Sequence, residues 1–299
     1  MSAVAEMFAN RVRKNARHLG KWARREHVTC WRVYDRDIPE VPVTVDTYEG
    51  ALVVNDYRIE QEDDAWLAAI AAAAREVLDA KDVFVKQRER LRHREGQQYE
   101  RLAASAAWRT VGEGGLKFRV NLSDYVDTGL FLDHRMTRAR VAAEPARTLL
   151  NLFAYTGAFS VHAAHAGMRT TSVDLSRTYL DWAHENLALN RLDGELVHAD
   201  VREFLADARR MRRRWDVAVV DAPTFSNSKR MDGTWDVQRD HVALLADVRA
   251  VTDKVIWFST NRRRFKLELP EQPGLTDETH ATTPPDFRHK PHLAWRIAI

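Results

Sequence analysis

Thr148-Leu149-Leu150-Asn151-Leu152-Phe153-Ala154-Tyr155-Thr156-Gly157 decides how this chain is read. An apolar run of strand length breaks at a polar turn and a glycine. Residues 158–166 then carry helical spacing and stop at Gly167, a residue suited to a helix C-cap. Downstream, 170–173 reads as a second strand with Asp174 at its carboxyl end, and Ser176 can cap a helix over 177–190. A third strand over 195–199 ends at Asp200, and a fourth over 216–220 ends at Asp221. Strands alternating with helices predict an α/β fold with a doubly wound parallel sheet, and such sheets bind ligands at the carboxyl ends of their strands. Those ends carry Gly157, Asp174, Asp200 and Asp221.

Upstream the pattern differs. Over 6–26, Phe8, Val12, Ala16, Leu19 and Ala23 recur at three- or four-residue steps, while Arg11, Lys14, Lys21 and Arg25 lie elsewhere on the wheel. This predicts a helix packed on the protein with a basic face outward. Strands are expected at 30–35, 41–48, 51–57, 83–88, 108–111 and 116–121, with an alanine-rich helix at 65–78. The reading is a small basic α+β domain over 1–125, with the sheet domain over 126–299. Within the latter, 136–143 and 237–249 read as helices, and 255–259 and 292–299 as strands.

Composition narrows the class. The 299 residues are 45% hydrophobic and 30% charged. No run approaches the roughly 20 apolar residues needed to span a bilayer. The first residues lack the apolar core of a secretory signal, so a cytoplasmic protein is expected. A single cysteine, Cys30, excludes an internal disulfide framework and any multi-cysteine metal site, and no metal is expected. Net charge is only +3, but positive residues crowd into 11–25, 86–94, 209–214 and 262–264. Such clusters suit a polyanionic partner. Arg88, Arg90 and Arg92 fall in one cluster, and Lys229 with Arg230 form a further basic pair in a polar loop.

The strand ends suggest a ligand. Gly157 is not part of a G-x-G-x-x-G, so a dinucleotide pyrophosphate lacks its usual cradle and a nicotinamide dehydrogenase is disfavoured. A glycine there lets a ligand approach the backbone. A carboxylate at Asp174 can accept hydrogen bonds from both hydroxyls of a ribose. Asp200 is placed for an adenine amino group, although Asp200-Val201-Arg202-Glu203 is also a capping box. The set suits adenosine without pyrophosphate, and S-adenosyl-L-methionine is the common such ligand. Asp221-Ala222-Pro223-Thr224-Phe225 then offers a carboxylate, a rigid proline and an aromatic ring that can stack on a flat base.

Longer strings carry a family resemblance. They include Trp31-Arg32-Val33-Tyr34-Asp35, Asn121-Leu122-Ser123-Asp124-Tyr125, Thr128-Gly129-Leu130-Phe131-Leu132-Asp133-His134-Arg135 and Asn151-Leu152-Phe153-Ala154-Tyr155-Thr156-Gly157. Val173-Asp174-Leu175-Ser176-Arg177-Thr178-Tyr179-Leu180 and Pro223-Thr224-Phe225-Ser226-Asn227-Ser228-Lys229-Arg230-Met231 extend the set. From about Phe8 onward the chain resembles the K half of the bifunctional K/L large-subunit ribosomal RNA methyltransferases. That half is a class I S-adenosylmethionine enzyme acting on guanine N7 of 23S rRNA. The resemblance implies a mostly parallel, seven-stranded Rossmann-like sheet and an RNA partner. It implies cofactor contacts from Phe131, Asp133 and Arg135, the last suited to a methionine carboxylate. Further cofactor positions are expected at Asn151, Tyr155, Gly157, Asp174 and Leu175, then at Asp200, Val201 and Asp221. Asp221, Pro223 and Phe225 are the expected catalytic loop, with Lys229 and Arg230 bordering the target base. The resemblance covers the K half alone, and this copy is expected to stand by itself. One position departs: the family carries Asp-Pro-Pro where this chain has Asp221-Ala222-Pro223.

Chemistry narrows the acceptor. Pyrimidine C5 methylation needs a cysteine nucleophile, and Phe258-Ser259-Thr260-Asn261 supplies none. Guanine N7 is a ready in-plane lone pair. Alternatives are an exocyclic base amine, a small molecule, or an RNA-binding assembly factor without turnover.

Overall fold

The computed structural model describes residues 2–58, 64–88, 107–226, 234–270 and 273–299. The chain divides into two compact units, Met1–Leu132 with Pro285–His289 and Asp133–Pro284 with Lys290–Ile299.

In the first unit, helix α1 (Ala3–Arg25) starts where the Ser2 hydroxyl accepts the Ala5 amide at 3.3 Å. It buries Ala5, Phe8, Ala9 and Val12 against a sheet of β1 (Cys30–Asp35), β2 (Val43–Tyr48) and β3 (Ala51–Asp56). Helix α2 (Asp64–Leu78) adds Leu67, Ile70, Ala73 and Ala74 to the same core. The first three strands are antiparallel, and β4 (Val83–Gln87) joins β3 in parallel. β5 (Trp108–Glu113) and β6 (Leu116–Asn121) form a separate hairpin. A late segment rejoins this unit: Asp286 accepts the Arg32 amide at 2.8 Å, and Asp35 accepts that of Arg288 at 3.1 Å.

The second unit opens with a 3₁₀ turn at Leu132–His134 and α3 (Arg135–Ala142). β7 (Thr148–Leu152), α4 (Ala158–His165), β8 (Arg169–Asp174), α5 (Arg177–Leu189) and β9 (Glu195–His198) follow the expected alternation. Then come α6 (Val201–Arg210) and β10 (Trp215–Asp221), with a short ribbon of β11 (Phe225–Ser226) and β12 (Trp235–Asp236). The unit closes with α7 (Val237–Ala250), β13 (Thr252–Thr260), β14 (Leu275–Asp277), α8 (Thr279–Thr282) and β15 (Leu293–Ala298). The order β14-β15-β13-β10-β7-β8-β9 makes the seven-stranded sheet. It is mostly parallel, with β15 antiparallel to both β13 and β14.

Both faces of the sheet are covered, which is why β10 and β13 carry the apolar runs 217–220 and 255–258. Along β10, Ala218 and Val220 turn to a layer holding Phe204 and Leu205 of α6 with Leu244 and Val248 of α7. Val217 and Val219 turn to the opposite layer, with Val141 of α3 and Phe159 and Ala163 of α4. Reading outward, the chain lays down β7, β8 and β9, then crosses back to place β10 on the other flank of β7. That reversal opens a crevice at the carboxyl ends of β7 and β10. Among the described residues, no helix is long and apolar enough to cross a membrane.

Candidate cofactor and acceptor site

The turn after β7 is backbone-strained and pinned. Phe153, Tyr155 and Gly157 all take left-handed conformations, at φ 55°, 51° and 74°. Non-glycine residues adopt this region only where the surroundings enforce it. Here Asp174 Oδ2 accepts the Tyr155 amide at 2.9 Å, the Val173 carbonyl accepts that of Ala154 at 3.0 Å, and Asn186 donates to the Thr156 carbonyl at 2.9 Å. The Tyr155 ring packs edge-on to Tyr179 of α5, centroids 4.5 Å apart. Gly157 is required for a reason the local sequence does not reveal. A Cβ there would lie 2.8 Å from the Ala183 Cβ, so the missing side chain lets α5 pack against the turn.

Asp174, at the tip of β8, is the centre of this region. Its Oδ1 accepts the Ser176 amide at 2.8 Å while Oδ2 holds Tyr155. Burial pushes its carboxyl up to about 6, against the lowering pull of those two amides. Each carboxylate oxygen has a second lone pair, so the group can still accept two hydroxyls. Leu175 follows it, its carbonyl 3.0 Å from His198 Nε2.

Asp200 caps α6: Oδ1 accepts the amides of Arg202 at 2.8 Å and Glu203 at 3.4 Å. These contacts all fall on Oδ1, which leaves Oδ2 for a further donor. Val201 beside it is buried. Asn151 lies within β7, wholly buried, where its amide donates to Ser160 at 3.0 Å and Ser160 meets Ser172 at 2.7 Å. That chain of polar contacts fastens α4 to β7 and β8 beneath the turn.

Asp221 ends β10. Ser259, its register partner on β13, donates to Oδ1 at 2.6 Å, and His134 Nε2 stands 3.5 Å from Oδ2. Burial is the largest influence on His134 and pushes its pKa below the ordinary 6.5, with Asp221 pulling the other way. The next residues are anchored by their backbone: the Pro223 carbonyl accepts the Trp235 indole at 2.7 Å, and that of Thr224 accepts the Val237 amide at 3.1 Å. Phe225 is 51% exposed. An exposed ring on an anchored loop is placed to stack rather than to fill the core.

Asp133, His134 and His292 bring ligand-type atoms within 4.8 Å of one another. The two imidazoles are stacked, centroids 4.1 Å apart and planes 15° from parallel. An ion bound by both would have to lie in both ring planes, which near-parallel rings do not allow. His292 instead spans Asp133 at 3.1 Å and Thr282 at 3.2 Å. Arg135 follows as the first residue of α3.

Phe131 belongs to the first unit and is 37% exposed. Arg88, also in the first unit, donates to the Val126 carbonyl at 2.6 Å and to Asp127 at 3.0 Å. Its guanidinium is therefore already engaged, which argues against a free phosphate contact. Arg90, Arg92, Lys229 and Arg230 lie outside the described residues. Nothing in the local sequence marks Ser259 or His292 as part of this site. Once β10 and β13 are known to be neighbours, register alone sets Ser259 opposite Asp221.

Residues 29–248 match the family model of the S-adenosylmethionine-dependent methyltransferases. The chain belongs to that family. Its cofactor is S-adenosyl-L-methionine, and the donor set at the strand tips fits it: carboxylates for hydroxyls and an amino group, with no pyrophosphate cradle. The methyltransferase is 46% identical over 316 residues to ribosomal RNA large subunit methyltransferase K/L of Pseudomonas aeruginosa, covering 100% of this chain and 43% of that protein. It is 47% identical over 315 residues to the protein of that name from Stutzerimonas stutzeri, covering 99% and 43%. It thus spans less than half the length of these relatives. Among solved structures, the SMU.776 protein complexed with SAH superimposes with a TM-score of 0.80 at 23% identity, covering 99% of this chain and 82% of that one. That likeness is one of fold.

Proposed function

We propose that this methyltransferase modifies guanine N7 in large-subunit ribosomal RNA. The observation that carries the reading is 46% identity along the whole chain to a protein named ribosomal RNA large subunit methyltransferase K/L. When bound, the cofactor supplies a methyl group on a sulfonium centre, an electrophile for a ring-nitrogen lone pair.

In this reading the protein's own part is positioning. Asp174 accepts the ribose hydroxyls, with Leu175 and Val201 beside the adenine and Asp200 Oδ2 taking its amino group. Asp133 and Arg135 hold the methionine end. Tyr155 and Gly157 shape the turn below, and Asn151 braces it. Guanine N7 needs no proton removed, so the acceptor side has to orient a flat base and exclude others. Phe225 stacks on that base, Pro223 limits the loop's freedom, and Asp221, fixed by Ser259, takes a polar edge or the methionine ammonium. In A-form RNA the N7 edge lies in a deep, narrow groove, so the target guanine is unpaired or drawn out of its helix. Arg90, Arg92, Lys229 and Arg230 are the candidate phosphate contacts. As a protein acting on ribosomal RNA, it would work in the cytoplasm.

One observation favours a second reading. The Asp221 carboxylate also suits an exocyclic amine, whose proton it would accept during transfer. Incubation of the protein with S-adenosylmethionine and transcribed large-subunit rRNA, followed by nucleoside mass spectrometry, separates the two. Formation of 7-methylguanosine is expected. A product methylated on an exocyclic amine moves the acceptor, and cofactor binding without any methylated nucleoside leaves an RNA-binding assembly factor.

A further inference from the structure

Helix α1 carries a stripe of charge that the fold itself does not use. Arg13, Lys14, Arg17, Lys21, Arg24 and Arg25 are all exposed, and no acidic residue occurs between Glu6 and Glu26. At 100° per residue they occupy about a third of the helix circumference and run for about 18 Å. The opposite face holds Ala5, Phe8, Ala9 and Val12 in the core, so the stripe faces away from the packed side.

Local explanations cover only its ends. Arg13 donates to Asn10 at 2.7 Å, and Arg25 pairs with Glu26 at 2.8 Å. Arg24 and Arg25 also lie in the last turn, where cations complement the helix dipole. Lys14, Arg17 and Lys21 have neither explanation. They sit in the helix interior at three- and four-residue steps, a like-charge arrangement that weakens a helix. Among the described residues, none of these three has a carboxylate within ion-pair distance. A partner rich in regularly spaced negative charge would relieve that repulsion.

We infer that the outer face of α1, centred on Lys14, Arg17 and Lys21, is a docking rail for the phosphodiester backbone of the RNA substrate. The inference rests on the proposed RNA reading and adds a surface to it. The rail carries affinity and no sequence information, because phosphate contacts position a protein on its nucleic acid and base contacts specify the site.

The test is a salt series of binding to transcribed large-subunit rRNA. The full chain is compared with a variant carrying Lys14→Gln, Arg17→Gln and Lys21→Gln together. Glutamine has nearly the helix propensity of lysine and arginine, so α1 should persist; thermal melting and SAH affinity check this. Loss of three phosphate contacts should make the slope of log affinity against log salt shallower by about 2. A charge-keeping variant, Lys14→Arg with Arg17→Lys and Lys21→Arg, should keep the original slope. An unchanged slope in the glutamine variant, with the unaltered protein binding tightly, overturns the rail and spares the RNA reading. Failure of the unaltered protein to bind rRNA at any salt overturns both.

Discussion

The imidazole of His134 faces the carboxylate of Asp221, Nε2 standing 3.5 Å from Oδ2. Ser259 donates to the other oxygen at 2.6 Å. The acid that opens the Asp221–Phe225 loop is thus fixed by a hydroxyl on the neighbouring strand, with a buried imidazole from a residue preceding the sheet facing its other oxygen. Behind His134, the stacked ring of His292 continues the arrangement to Asp133.

His134 should make the fold sensitive to acid. Burial holds its pKa below 6.5 in the folded state, so unfolding takes up a proton as pH falls. Stability contributed here is present above the unfolded value and lost as pH drops below about 6.5. His134→Gln, which cannot titrate, should flatten that acid limb in thermal melts. It should also slow methyl transfer roughly tenfold, about 1.4 kcal/mol of positioning, without weakening SAH binding. Melts that fall with acid as steeply as before would assign the limb to another group.

Asp174 predicts a pH dependence of the opposite kind. Its carboxyl is raised from 3.8 to about 6 in the folded chain, chiefly by burial. In the cofactor-free protein its stability contribution is full below 3.8 and lost as pH rises through about 6. The ribose hydroxyls need the ionised form as acceptor, so SAH affinity should climb with pH up to about 6 and then level off. Asp174→Asn should weaken SAH by about 1–3 kcal/mol near neutrality and remove the pH dependence. Calorimetry across pH reads both effects.

Gly157→Ala should be destabilising for two separable reasons. The residue takes φ 74°, and its new Cβ would lie 2.8 Å from that of Ala183. Left-handed strain and overpacking together should cost about 2–4 kcal/mol in denaturant unfolding. Ala183→Gly in the same chain should recover the steric part and leave the strain.

Phe225→Ala should leave stability within about 0.5 kcal/mol, because the ring is exposed. If the ring stacks on the target base, methyl transfer to RNA should lose about 1–3 kcal/mol in kcat/KM, and Phe225→Tyr should retain most of it. Unchanged kinetics in the alanine variant would leave the base without that contact.

These sites were unequally legible in the sequence. The alternation from Thr148 to Asp221 shows itself locally, because each strand, turn and cap has its own chemistry within a few residues. Asp200 is an example: its capping box predicts the amides it accepts. Contacts set by tertiary packing leave no such trace. His292 meets Asp133 across 159 residues, and Gly157 meets Ala183 only because α5 folds over the turn. β14 and α8 are three and four residues long, too short for a period to register. The segment Pro285–His289 rejoins the first unit through Asp286 and Arg288, which no local pattern announces.

A crystal structure of the protein with S-adenosylhomocysteine tests the account most directly. Adenosine should lie across the carboxyl ends of β7, β8 and β9, with both ribose hydroxyls on Asp174 and the adenine amino group facing Asp200. Density for the ligand away from those strand tips, or a ribose that makes no contact with Asp174, would contradict it.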